Sequence, residues 1–247
     1  MRRVAVCLAI ALLIPSVAEA RFDWRHMLDC MSRGAGGWVA EDARRDQVAV
    51  FGYNRVRDGG IFVWRGPMAL RTLTHELLHR ATRGRPEGYE RAMRALTGAV
   101  QIDEGLTAYF TDRALQRAGV TSFAVEPPAR GRPFSELRGW SRGLRQTAQR
   151  AIATYDVQVD TKSVALLSER CFARVYQKTA ERPWVKPQGQ VSYEADQQRV
   201  RELLALVGEE PLRRAYFTGD VQALRTALQQ ARARDARRFP SWADLSR

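Results

Sequence analysis

The sequence predicts an α+β chain, mostly helical, with a small antiparallel sheet ahead of one amphipathic helix and a helical C-terminal part. Three observations predict it. "QVAVFGYN" (47–54) and "GGIFVWRG" (59–66) are short β-branched and aromatic stretches, with "RVRDGG" as a turn between them. Met68, Leu70, Leu73, Leu77 and Leu78 then recur at helical spacing up to about Arg83. From Tyr193 onward, "YEADQQRVRELLALVG" and "EPLRRAYFTGDVQALRTALQQA" read as helices with glycine breaks at Gly208 and Gly219.

Taken in order, the N-terminus has the layout of an export signal. Arg2 and Arg3 precede an apolar run from Val4 to Ile14, Pro15 breaks the run, and Ala18-Glu19-Ala20 gives a small-x-small cleavage pattern. As a helix the run spans roughly 16 Å, about half of a bilayer core, so cleavage after Ala20 is expected rather than a membrane anchor. No later stretch is apolar enough to span a membrane, and a secreted or periplasmic protein is expected, with residues 21–247 forming one domain. A monomer is expected.

Residues 21–46 read as an irregular or partly helical lead-in. Pro67 stands at a helix start, and Gly84 and Pro86 stop that helix. A second helix is expected over 87–98. A third is expected over 102–118, with Leu106, Tyr109, Phe110 and Leu115 as its apolar positions and Gly119 just past its end. The proline- and glycine-rich stretch 125–143 reads as a surface excursion, 144–181 as helical in pieces, and 182–192 as a loop.

The formal net charge is +13, and arginine supplies nearly all of the cations, since Lys162, Lys178 and Lys186 are the only lysines. Such a surface favours anionic partners, cell-envelope polymers or lipid head groups among them, and a codon bias toward arginine produces the same composition. No recognised nucleic-acid module accompanies the charge, so no specific nucleic-acid role is expected. Cys30 and Cys171 are the cysteines left after cleavage at Ala20. In an oxidising compartment they form one disulfide or stay two buried thiols, and sequence does not decide between these.

The chemistry concentrates in "TLTHELLHRA" (72–81). His75 and His79 are four positions apart and so lie on one helix face, where two imidazoles can meet one ion. Glu76 points off that line, within reach of a water on the ion. This is the H-E-x-x-H arrangement of zinc hydrolases, with the glutamate as general base. A catalytic zinc needs a third protein ligand and an open fourth position. "IDEGLTAYF" supplies Glu104 near a helix start, 25 residues beyond His79. The rival account is an ordinary amphipathic helix and an ordinary first-turn glutamate favoured by the helix dipole.

With these residues in view, the chain resembles the gluzincin metallopeptidases, and within them the catalytic domain of the aminopeptidase N-like group. "THELLH" is similar to the zinc helix, "IDEGLTAYF" to the segment carrying the glutamate ligand, and "VSYEADQQRVRELLALVGEEPLRRAYFTGD" to a third stretch opened by a V-x-Y-E segment. The resemblance implies a zincin-like fold, Zn²⁺ held by His75, His79 and Glu104, Glu76 as base, and Tyr193 donating its hydroxyl to the oxyanion. The aminopeptidases carry G-x-M-E-N on the strand before the zinc helix, whereas "GGIFVWRG" has no carboxylate, so cutting within a peptide is expected. Ala108 stands four positions after Glu104, where thermolysin-like enzymes carry an aspartate.

The expected function is therefore a secreted, zinc-dependent metallopeptidase acting on a peptide or protein substrate. A basic cell-envelope binding protein with a structural or vestigial metal site, and a zinc amidase acting on cell wall, are the alternatives. The basic segment 130–150, in which Arg138, Arg142 and Arg145 would share a helix face, is either a substrate-side feature or a solvated flap. The export expectation has a direct check. Mass spectrometry of the secreted protein should give Arg21 as its first residue, and an intact Met1 in a membrane fraction would make the N-terminus an anchor instead.

Overall fold

A computed structural model describes residues 52–54, 61–129, 134–161, 163–167, 194–237, 239–243 and 245. The signal segment, His26, Cys30, Cys171, the turn at 55–60 and Tyr193 lie outside the described residues. Seven helices and three short strands are formed within them: β1 (Gly52–Asn54), β2 (Ile61–Trp64), α1 (Ala69–Ala81), α2 (Tyr89–Thr97), α3 (Ile102–Arg117), α4 (Phe134–Ala153), β3 (Val164–Leu167), α5 (Glu194–Val207), α6 (Glu209–Thr218) and α7 (Val221–Arg234). The mostly helical α+β character expected from the sequence is what the structure has. Among the described residues no helix is long and apolar enough to cross a membrane.

The sheet departs from the expectation of a purely antiparallel one. β1 and β2 do pair antiparallel, with Tyr53 opposite Phe62. β2, however, is the central strand, and its other edge takes β3 in parallel, Ile61 opposite Val164 and Trp64 opposite Leu167. β3 lies in a stretch expected to be helical. Its four residues are too few to show a period, and their partner is about a hundred positions away, so only tertiary packing decides their state.

β2 runs into α1 through a tight corner in which Ala69 N–H donates to the Gly66 carbonyl at 3.0 Å. Leu70, Leu73, Leu77 and Leu78 of α1 are buried as expected, while Met68, ahead of the helix, is exposed. α3 packs against α1, with Leu106, Phe110, Ala114 and Leu115 in the core. Tyr109 is only partly buried and donates its hydroxyl to Glu209 Oε2 at 2.9 Å. The stretch expected as a surface excursion is helical from Phe134, where α4 begins, and its described residues do stay at or near the surface. Leu144, Ala148, Ala151 and Ile152, further along α4, are core residues packed with α1 and α3. Gly139 and Gly143 lower helix propensity but do not prevent helix formation when a neighbour covers the apolar face.

Three helices follow with breaks where the glycines stand. Gly219 ends α6 in the left-handed conformation, φ 75°, and Asp220 caps α7 by accepting from Ala223 N–H at 3.0 Å. Tyr216 of α6 is fully buried, stacks on Phe110 and bonds its hydroxyl to Thr107 Oγ1 at 2.8 Å. α5 meets α3 at Gly105, where an added Cβ would sit 2.8 Å from the Asp196 carbonyl oxygen. Two alanine substitutions should therefore have opposite signs. Gly139→Ala, with nothing within 4 Å of the new Cβ, should raise stability by about 0.5–1 kcal/mol through helix propensity. Gly105→Ala should lower it by about 1–3 kcal/mol, because backbone must shift to admit the methyl. Urea unfolding midpoints decide both.

Candidate metal centre

α1 and α3 run antiparallel, and two charged pairs mark the register. At one end Arg71 forks onto Asp112, Nε to Oδ1 at 2.6 Å and Nη2 to Oδ2 at 3.1 Å. At the other, Arg85 forks onto Asp103, Nη1 to Oδ1 at 2.5 Å and Nη2 to Oδ2 at 3.1 Å. Between them one face of α1 presents His75 and His79 to the first turn of α3. The i,i+4 spacing turns both rings the same way, and their centroids are 4.7 Å apart.

The three expected ligands converge. His75 Nε2 lies 3.1 Å from His79 Nε2 and 3.2 Å from Glu104 Oε2, and His79 Nε2 lies 3.3 Å from Glu104 Oε1. Metal bonds of 2.0–2.1 Å arranged tetrahedrally would put neighbouring ligand atoms about 3.3 Å apart. The observed edges are of that length, with the two to Glu104 running to its two different oxygens, so the three side chains suit an ion of zinc's size once Glu104 offers it one oxygen or both. His75, His79 and Glu104 form the one such triad among the described residues.

Glu76 is buried beside this triad, and burial raises its carboxyl to about 7. Glu104 adds to the rise and a charged His79 opposes it, so a cation at the triad would pull the value back down. The two imidazoles differ. Burial lowers His75, and the Glu104 hydrogen bond does not restore it. Burial works on His79 in the same sense, but there the Asp103 and Glu104 carboxylates prevail and lift it to about 10. Glu104 is held well below the usual carboxylate range against its burial by its bonds to the two imidazoles.

Asp103 was not anticipated from sequence. Its Oδ2 lies 3.6 Å from His79 Nδ1, the ring atom turned away from the triad. Burial opposes its charge, yet His79 and Arg85 hold its carboxyl below the ordinary value. The only sequence signal was its place directly before Glu104 in a helix first turn, which suits any acidic residue. Ala108, one turn after Glu104, is buried within α3.

No family model, curated protein or solved structure matches the chain.

The two imidazoles should titrate apart in metal-free protein. At pH 7 His75 should be neutral while His79 stays charged until the pH approaches about 10. Because the folded value of His79 lies above its unfolded one, its stabilising contribution is full below about 6.5 and is lost as pH rises through about 10. A two-bond ¹H–¹⁵N titration of metal-free protein should show the two rings in different states at pH 8. Two neutral rings at that pH would mean that the carboxylates do not hold the proton.

Proposed function

We propose that the chain is a zinc-dependent peptidase of gluzincin type with a zincin-like catalytic domain, exported and acting within peptide chains. The observation that carries this reading is the spacing of the His75, His79 and Glu104 donor atoms, 3.1–3.3 Å, next to a buried glutamate. A zinc ion held there would polarise a carbonyl and make a water nucleophilic near neutral pH.

Glu76 takes the proton of the attacking water and passes it to the departing amine. Burial lifts the Glu76 carboxyl while a cation at the triad would lower it. Beside the ion the group would therefore be ionised and able to take that proton, and basic enough to hold it until the amine leaves. The base also argues against the rival of a structural or vestigial site in a cell-envelope binding protein, because a purely structural zinc has no use for it. A cell-wall amidase uses the same residues on a different amide.

Tyr193 is assigned to the oxyanion. Asp196, three positions on, supports this. Its Oδ1 accepts from Gln101 N–H at 3.1 Å, and its carbonyl closes on Gly105, so the start of α5 is tied to the turn that carries Glu104. Absence of a Cβ at position 105 is what permits this approach. Arg138, Arg142, Arg145 and Arg150 of the 130–150 segment lie on α4, which packs beside α1, and a substrate or envelope polymer with negative charge suits that surface.

Metal analysis and a cleavage panel of peptides and peptidoglycan test the reading. Residues 21–247 should hold about one zinc per chain, and His79→Ala should lose it, because two ligands bind poorly. Glu76→Gln should keep zinc and abolish peptide cleavage. Tyr193→Phe should keep zinc and substrate binding while turnover falls by about 10²–10³. Cleavage of peptidoglycan but no peptide would move the assignment to an amidase, and metal-free protein with no affinity for zinc would end it.

A further inference from the structure

The three metal-binding side chains do not stand alone, and their support is one-sided. Nε2 of His79 faces His75 and Glu104, and Nδ1 faces Asp103 Oδ2 at 3.6 Å. A histidine that gives one nitrogen to a metal carries its proton on the other, and a carboxylate at that second nitrogen selects the tautomer and fixes the ring plane. Asp103 is itself held by two bonds from Arg85. The Arg85 guanidinium is fixed further, 4.1 Å over the Tyr89 ring and 5.3 Å from that of Tyr216. The side chains of Arg85 and Asp103 are only 11% and 20% exposed, so water competes little for either partner.

We propose that Asp103, clamped by Arg85, is the positioning residue of the metal site. It holds His79 with Nδ1 protonated and aims Nε2 at the ion. The inference rests on the zinc reading of the triad and adds to it a residue that neither touches the metal nor belongs to the H-E-x-x-H motif.

The test is zinc affinity by chelator competition on the full mature chain, with folding followed by circular dichroism. Asp103→Ala should weaken zinc by about 10–100-fold, the usual loss when such a partner is removed. Asp103→Asn keeps the shape and an acceptor oxygen, so it should recover part of that loss while remaining roughly threefold or more below wild type. In zinc-loaded wild type, two-bond ¹H–¹⁵N spectra should show His79 protonated at Nδ1, and that signal should broaden or shift in the variants. A purely structural Arg85–Asp103 pair would lower the melting temperature in both variants and leave zinc affinity and the His79 signal alone. That result overturns the proposal, and if Asp103→Ala does not fold, Asp103→Asn and Arg85→Met decide it by the same two readouts. Wild-type protein that binds no zinc would instead remove the parent reading.

Discussion

The site depends on how closely two antiparallel helices are held. The candidate donor atoms of His75 and His79 on α1 lie 3.2–3.3 Å from those of Glu104 on α3, so sliding of one helix along the other would take Glu104 out of the set. Leu73, Leu77 and Leu78 from one helix and Leu106 and Phe110 from the other supply the adhesion, since each is fully buried. Apolar contact is non-directional and does not by itself fix a register. Arg71–Asp112 and Arg85–Asp103, one at each end of the contact, do. Each is a fork-to-carboxylate pair with a defined geometry. The first is half-exposed and contributes about 0–1 kcal/mol. The second is more deeply set, and loss of one partner would cost about 3–5 kcal/mol through the charge left behind.

The same packing concentrates ionisable groups where water is scarce. Desolvation is the leading influence on His75, Glu76, His79, Asp103 and Glu104 alike. With both imidazoles neutral, as metal ligands must be, Glu76, Asp103 and Glu104 bring three carboxylates into one poorly solvated place. Carboxylates so placed repel one another unless positive charge balances them. Without an ion, the proton on His79 and the proton shared out to Glu76 near neutral pH do part of that balancing.

What could be read from the sequence follows the range of the interactions. α1, α2 and α3 were legible because leucine periodicity and glycine or proline stops are local. His75 and His79 were legible because their relation is a property of one helix. Glu104 was legible from the need for a third ligand and its place near a helix start downstream, with its likeness to a known segment added, since nothing local says which helix it faces. α4 was half-read because its glycines merged its first turns with the proline-rich stretch before it. β3 and Asp103 were not legible, for the same reason: one depends on a parallel partner a hundred residues back, the other on the register of α3 against α1. Asp103 looks like any acidic residue in a helix first turn until the second helix is in place.

That register also makes the two histidines unequal, and the inequality has a chemical consequence. His79 sits between two carboxylates, Glu104 on its Nε2 side and Asp103 on its Nδ1 side. His75 has Glu104 and His79 about its Nε2, with the charge of Arg71 lowering its basicity further. A carboxylate at Nδ1 raises the electron density a ring offers through Nε2, so His79 would be the stronger donor and His75 the weaker. The stronger donor is also the one whose proton must leave before an ion can bind. Affinity for metal and affinity for protons would therefore rise together at His79, and the geometry that fixes the ring would make binding of an ion there sensitive to pH.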